Sequence, residues 1–147
     1  MRVALLLLTL TMSAFGVRAQ EAAIAITPDE VKWEKSGGLT LPGLEQANLI
    51  GDPSKPGPYT IRVKFPAGYR LEAHTHNDAR QVTILSGTWL TGYGPTFDKS
   101  KLKRLPEGSF YTEPANVPHF VETDGAAIVQ VSGVGPSQRM FVTPPKK

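Results

Sequence analysis

The alternation of apolar and polar residues in the second half of the chain is typical of short β-strands. In "YTIRVKF", residues 59–65, apolar side chains alternate with Thr, Arg and Lys, so an extended segment would bury one face and expose the other. The segments that follow with a similar pattern are "RLEAHTH", "QVTILSGTWLTGYG", "GSFYTEP", "HFVET", "AAIVQVSGVG" and "RMFVTP". At least seven short strands separated by Gly and Pro predict a single all-β domain, a sandwich or a barrel.

The residues before these strands show less regular alternation of apolar and polar positions. In "TPDEVKW", Thr27 and Glu30 form a capping box around Pro28, which predicts one or two helical turns. Residues 38–58 are rich in Gly and Pro and are predicted to be mostly loop, with a brief strand near 47–50. The predicted divisions are a signal peptide at 1–19, an N-terminal extension and loop at 20–58, the barrel at 59–143 and a frayed tail at 144–147.

The first residues have the pattern of an export signal. Arg2 precedes an apolar run of 15 residues, Val3 to Val17, and the segment ends in "VRA" at Ala19, which suits signal peptidase. The run is shorter than the roughly 20 residues that span a bilayer, although an N-terminal membrane anchor is the alternative. Cleavage after Ala19 would leave 147 − 19 = 128 residues from Gln20 onward, periplasmic or secreted and without membrane contact.

Composition excludes several function classes. Removing the two signal-peptide arginines leaves 16 − 2 = 14 basic against 13 acidic residues, a net charge of +1. A chain so nearly neutral, without aromatic residues among its few basic clusters, is not expected to bind nucleic acid. The absence of cysteine excludes disulfides, thiolate metal ligands and thiol catalysis.

The three histidines of the chain lie in two short segments. His74 and His76 are one residue apart, and His119 follows 43 positions later. On an extended strand the first two rings share one face, and a third ligand must come from elsewhere. Because neutral imidazole binds Fe, Mn, Zn, Ni or Cu, the pattern predicts a site for one divalent metal ion.

The residues around the first two histidines resemble the first motif of the cupin family. That motif runs Gly, five residues, His-x-His, three or four residues, Glu, six residues and Gly. Here Gly68 is followed by "YRLEA", "HTH" at 74–76, "NDA", Arg80, "QVTILS" and Gly87. Every spacing matches, but Arg80 stands where the family has glutamate.

The second cupin motif runs Gly, five residues, Pro-x-Gly, two residues, His, three residues and Asn. The matching residues of this chain are Gly108, Pro114, Asn116, His119 and Thr123. Asn116 replaces a glycine, and asparagine also tolerates the left-handed backbone of a tight turn. Thr123 replaces the final asparagine.

The resemblance has consequences for fold and chemistry. It implies a double-stranded β-helix, or jelly roll, with a metal bound inside the barrel by His74, His76 and His119. The segments "VTILSGTW" (82–89), "PEGSFYTEPANVPHF" (106–120) and "VQVSGVGP" (129–136) are more specifically similar to small exported cupins that resemble the ChrR cupin domain. A homodimer is also implied, because cupins often pair through sheet edges.

The fourth metal ligand is left open by the sequence. Arg80 stays protonated and cannot coordinate a metal. Three alternatives remain, namely water in open positions of a three-histidine site, the amide oxygen of Gln81, or the carboxylate of Glu72, which lies two residues before His74 and is expected on the same strand face. Strand parity favours Arg80 over Gln81 as the inward residue, unless a turn breaks that parity.

Arg80 and Phe120 are the candidates for substrate binding. Arg80 either points into the barrel and pairs with a substrate carboxylate or enolate, or forms an ion pair with Asp78 or Glu72. An inward Arg80 would need an anion between itself and the metal, because the two cations repel each other. Phe120 is the aromatic candidate because it adjoins His119.

Two functions from different classes fit these residues. The first is a metal-dependent enzyme of oxygenase, lyase or isomerase type that acts on a small oxygen-bearing molecule. The second is a non-catalytic module that binds or senses a small ligand and holds a structural metal. No catalytic residue is assigned, and the candidates for a general base are Glu72, Tyr93 and Glu113.

Overall fold

The structure is a computed structural model that describes residues 23–35 and 41–142. The predicted signal peptide and tail lie outside these residues, and within them no helix is long and apolar enough to cross a membrane. The chain divides into two compact units after Glu30. The first unit contains a 3₁₀ turn at Pro28–Glu30. The Glu30 carboxylate accepts a hydrogen bond from the backbone N–H of Thr27 at 2.8 Å, which confirms the predicted capping box.

In the described part of the second unit, nearly all of the regular secondary structure is β-strand. A second 3₁₀ turn lies at Lys99–Lys101. Within the described residues the strands are β1 (Glu34–Lys35), β2 (Glu45–Ile50), β3 (Gly57–Phe65), β4 (Arg70–His76), β5 (Arg80–Ser86), β6 (Thr88–Tyr93), β7 (Lys103–Pro106), β8 (Phe110–Glu113), β9 (His119–Thr123), β10 (Ala127–Gly135) and β11 (Arg139–Phe141). The brief strand expected near 47–50 is confirmed as part of β2, which pairs with β3.

The strands form two antiparallel sheets. One sheet has the order β1-β2-β3-β10-β5-β8, and the other has the order β11-β4-β9-β6-β7. Neighbours such as β3 and β10 are far apart in sequence, as the crossing connections of a jelly roll require. The predicted all-β fold is therefore confirmed. A homodimer stays a prediction.

The space between the sheets is filled by the apolar face of each strand. In β3 the alternate residues Tyr59, Ile61, Val63 and Phe65 are all buried, as the period of two predicts. The cluster continues through residues of the other strands, including Leu71, Val82, Ile84, Trp89, Leu105, Tyr111, Val121, Val129 and Val131. The Phe65 and Trp89 rings meet edge to face at a centroid distance of 4.7 Å, a favourable aromatic geometry.

Two motif positions form turns that need a left-handed backbone. Gly87 joins β5 to β6 with φ +78°, and a Cβ there would clash with the Ala126 carbonyl oxygen and lie 3.0 Å from Ala127 Cα. Asn116 has φ +61° and donates its backbone N–H to the His76 carbonyl at 2.7 Å. Asparagine therefore replaces the glycine of the motif without losing the turn, and the turn ties the β8–β9 connection to β4.

We expect Gly87→Ala to lower the free energy of unfolding by about 2 kcal/mol or more, because left-handed strain adds to the backbone clash. Gly108→Ala is the matched control, since Gly108 has φ +81° but a Cβ added there would meet no atom within 4 Å; strain alone should cost about 1 kcal/mol. Urea unfolding of the two variants measures the difference. Equal losses would show that the contact with Ala126 does not constrain the turn.

Candidate metal centre

The three histidines converge from two adjacent strands. His74 and His76 lie on β4, and His119 begins β9 directly opposite His74. One ring nitrogen from each histidine lies within 4.8 Å of the others. All three side chains are buried, each with 2% or less of its surface exposed.

Backbone contacts orient two of the rings. His74 Nδ1 lies 2.8 Å from the Glu72 carbonyl oxygen, and His119 Nδ1 lies 3.1 Å from the Val117 carbonyl oxygen. Because a carbonyl only accepts, each Nδ1 must carry the proton, which leaves a lone pair on each Nε2 in the neutral ring. His119 Nε2 is buried without a hydrogen-bond partner. This is the tautomer and support that metal-binding histidines usually have.

Burial favours the neutral form of two of these rings. Burial, with the neighbouring His119 charge adding to it, lowers the pKa of His74 to about 3. Burial and the Arg80 charge lower the pKa of His76 to about 2. Both imidazoles are therefore neutral near pH 7, and neutral imidazole is the form that binds metal.

The carboxylate of Glu113 also lies at the cluster. From the sequence, this residue is only a candidate general base. Glu113, on β8, is buried, with Oε1 3.4 Å from His119 Nε2 and Oε2 3.7 Å from His76 Nε2. Tyr111 donates its hydroxyl to Glu113 Oε1 at 2.9 Å. Burial opposes ionisation of Glu113, but His119, His76 and Arg80 outweigh it and hold the pKa of its carboxyl well below the usual range.

Arg80 points into the barrel and is also ion-paired with Asp78, and its pairing with a substrate anion stays a prediction. Its Nε lies 3.4 Å from Asp78 Oδ1, and its Nη1 donates to His76 Nε2 at 3.2 Å. Its Nη2 donates to the Ser137 hydroxyl. Asp78 in turn accepts hydrogen bonds from the hydroxyls of Tyr59 and Ser137, each at 2.6 Å. The anion that an inward arginine requires beside the metal site is present, because Glu113 Oε2 lies 4.0 Å from Arg80 Nη1.

Glu72 does not reach the cluster, which corrects the expectation that it shares a face with His74. The pairing of β4 with β9 shifts register between Leu71 and His74. This irregularity lets both Leu71 and His74 face the interior although they are three residues apart. Glu72 is left exposed and pairs with Arg70 at 2.7 Å.

Gln81 also lies outside the cluster, so the geometry does not support it as a fourth ligand. Arg80 and Val82 both line the interior cavity, and Gln81 between them is exposed on the other face of β5. Because β5 keeps its alternation at this point, position 81 cannot turn inward. The parity argument for Arg80 is correct.

Phe120 is buried but faces away from the histidines. In β9, His119 lies in the histidine cluster and Val121 lines the cavity, so alternation directs Phe120 to the opposite face of the sheet. There its ring packs against Phe97 at a centroid distance of 5.1 Å. The expectation that Phe120 contacts substrate is therefore corrected, and its role is packing.

Of the other aromatic residues near the motifs, Trp89 and Tyr111 line the cavity, whereas Tyr93 and Phe110 are exposed.

His74, His76 and Glu113 line an interior cavity of about 50 Å³. Its walls are mostly apolar, and its polar lining includes the half-buried Arg139. In the pairing of β11 with β4, Arg139 lies opposite His76. No pattern in the sequence indicates a role for Arg139. A cavity of this size accommodates a few water-sized groups.

These residues fit a metal ion. Three buried imidazoles, two of them oriented by backbone carbonyls, present ring nitrogens to one another. The Nε2 of His119 has no hydrogen-bond partner, as expected of a nitrogen placed to coordinate a metal. Imidazole nitrogen suits Zn, Cu, Fe or Ni. The part of the chain that the structure describes offers no other such group of His, Asp and Glu residues.

Comparisons with solved structures show the same fold in proteins of distant sequence. An RmlC-like cupin from Shewanella frigidimarina is 16% identical, with a TM-score of 0.59 over 77% of this chain and 91% of that one. The polyketide cyclase RemF from Streptomyces resistomycificus is 16% identical, with a TM-score of 0.64 over 84% and 89%. A salicylate 1,2-dioxygenase from Pseudaminobacter salicylatoxidans is 12% identical, with a TM-score of 0.58 over 72% of this chain and 32% of that one.

The family is shown by sequence. No curated protein matches the chain. The family model of the ChrR cupin-like domain matches residues 21–134, well over half of the chain and both histidine motifs. The chain belongs to the ChrR cupin-like domain family.

Proposed function

We propose that this chain is an exported, mononuclear metal-dependent cupin enzyme that acts on a small oxygen-bearing molecule. The observation that carries the proposal is the convergence of buried His74, His76 and His119, the first two of which line a mostly apolar cavity. A divalent ion there, whether Fe, Mn, Zn, Ni or Cu, would polarise an oxygen of the substrate or, if redox-active, support oxygenase chemistry.

The protein side chains would bind and orient the substrate. The cavity of about 50 Å³ limits the buried part of a ligand to a small group. Arg80 and Arg139 both line this space, so their positive charges favour an anionic oxygen such as a carboxylate or enolate. The apolar walls exclude water, which strengthens these charge interactions.

Similar folds support small-molecule chemistry without fixing the reaction. The structural neighbours include a polyketide cyclase and a salicylate dioxygenase, but identities of 16% and below carry over the fold alone. The reaction class therefore rests on the residues of this chain.

The alternative function is a non-catalytic module that binds or senses a small ligand around a structural metal. The observation in its favour is the small volume of the cavity, about 50 Å³. Oxygen uptake or turnover of dicarbonyl and phenolic compounds by the metal-loaded protein would favour the enzyme, and ligand binding without turnover would favour the module.

The metal content of the purified protein is the first prediction of this proposal. We expect about one equivalent of a divalent transition metal in protein purified without added metal or chelating resin, because the three imidazoles form one site. His119→Ala should lose most of it, and Gln81→Ala, which changes an exposed residue of the same motif, should keep it. Elemental mass spectrometry measures all three proteins. A wild-type protein that takes up no metal after reconstitution would contradict the proposal.

Export is the second prediction. We expect the full chain, produced in a bacterium, to be processed after Ala19 and recovered from the periplasmic fraction, because residues 1–19 carry a charged start, an apolar run and a small residue at the cleavage position. N-terminal sequencing should begin at Gln20. Replacing Ala19 with Arg should block processing, whereas Ala23→Arg, beyond the cleavage position, should not. Retention of the unprocessed wild-type chain in the membrane would instead support the anchor.

A further inference from the structure

Glu113 has contacts that the three-histidine site leaves unexplained. Its carboxylate is buried, and both of its oxygens are directed at ring nitrogens of the cluster, Oε1 at His119 Nε2 and Oε2 at His76 Nε2, with separations of 3.4 and 3.7 Å. These separations are longer than those of good hydrogen bonds, so hydrogen bonding to the rings does not account for the position of the carboxylate.

The contact with His119 places two acceptors opposite each other. The Nδ1 of His119 must donate to the Val117 carbonyl, so the neutral ring presents a lone pair at Nε2 to the carboxylate oxygen of Glu113. Two buried acceptors repel unless a cation lies between them. A metal ion coordinated by both atoms would be such a cation.

The distances also suit a shared metal. Ligands about 2.1 Å from one ion in tetrahedral geometry lie about 3.4 Å apart, and the distance from Glu113 Oε1 to His119 Nε2 is 3.4 Å. A chain of two hydrogen bonds orients Glu113 Oε1. Trp89 Nε1 donates to the Tyr111 hydroxyl, and that hydroxyl donates to Glu113 Oε1, each at 2.9 Å. A carboxylate held by a second side chain is the usual arrangement of a metal ligand.

Strand pairing accounts for the unusual origin of this carboxylate. Arg80, at the position where the cupin motif has glutamate, pairs directly with Glu113 across β5 and β8. Side chains directly opposite each other project from the same face of a sheet. The neighbouring strand therefore supplies a carboxylate at nearly the place from which the motif position would supply it. Asp78 and Ser137 bind the Arg80 guanidinium, whose Nη1 also reaches His76 Nε2 at 3.2 Å.

We propose that Glu113 is the fourth protein ligand of the metal, so that the site consists of three histidines and a glutamate taken from β8. This inference rests on the proposed metal site and deepens it. Arg80 then acts as a positioning residue, which neutralises part of the charge of Glu113.

The test uses Co²⁺ as a spectroscopic probe on the full-length chain after chelator treatment. Wild type should bind one equivalent, with visible bands that report its ligands. Glu113→Gln keeps the size of the side chain but is a poor ligand, so we expect one equivalent bound at least about 10-fold more weakly and, decisively, with shifted bands. Glu122→Gln, on the neighbouring strand but paired with Lys99 at the surface, is the matched control and should resemble wild type.

Each outcome separates the two proposals. Glu113→Gln bands that coincide with those of wild type would overturn the ligand role and leave the three-histidine site intact. A wild-type chain that binds no Co²⁺ would overturn both. If Glu113→Gln does not fold, the infrared difference spectrum of wild type on adding Zn²⁺, with ¹³C-labelled glutamate, tests the same point. A shifted glutamate carboxylate band is expected, and its absence would contradict the proposal.

Discussion

The buried ion pair between Arg80 and Asp78 is the interaction on which the arrangement of the cavity depends. A guanidinium with 7% of its residue surface exposed would be costly to bury without a partner. Asp78 supplies the opposite charge and also accepts from the hydroxyls of Tyr59 and Ser137. The pair thereby joins β3, β5 and the segments before β5 and β11. Removing one charge of a buried pair typically costs about 3–5 kcal/mol, so this network positions Arg80 firmly.

Strand alternation explains which of the site predictions are correct. Within β5 the period of two is unbroken, and it correctly favours Arg80 over Gln81 as the inward residue. The same rule, applied to β9, would have turned Phe120 away from the cavity, whereas nearness to His119 in sequence led to the opposite expectation. For Glu72 the rule itself fails, because the register of β4 against β9 shifts between Leu71 and His74. Residues 72 and 74 therefore do not share a face. Such irregularities depend on the partner strand and have no signature in this segment.

The position of Glu113 could be predicted only in part for a related reason. Alternation within β8 places Tyr111 and Glu113 on one face, which the sequence shows. That this face lies beside the histidines depends on the pairing of β8 with β5, and strand pairing is a non-local property that one sequence does not specify. The motif spacing predicts the fold and the three histidines well, because it records local turns and strand lengths. The departure at Arg80 was the one available signal, since a cation in a ligand position implies a compensating anion nearby.

The balance of charge at the interior end of the barrel indicates what such a site would attract. Arg80 and Arg139 contribute two guanidinium charges, and Asp78 and Glu113 contribute two carboxylates, while the imidazoles of His74 and His76 are neutral near pH 7. The metal-free interior is therefore close to neutral, which is the state that burial favours. A divalent ion would raise it by two units in an environment of low dielectric constant. An anionic oxygen ligand would offset that excess, so the same charge arrangement that keeps the metal-free barrel stable would make the metal-bound barrel selective for anions.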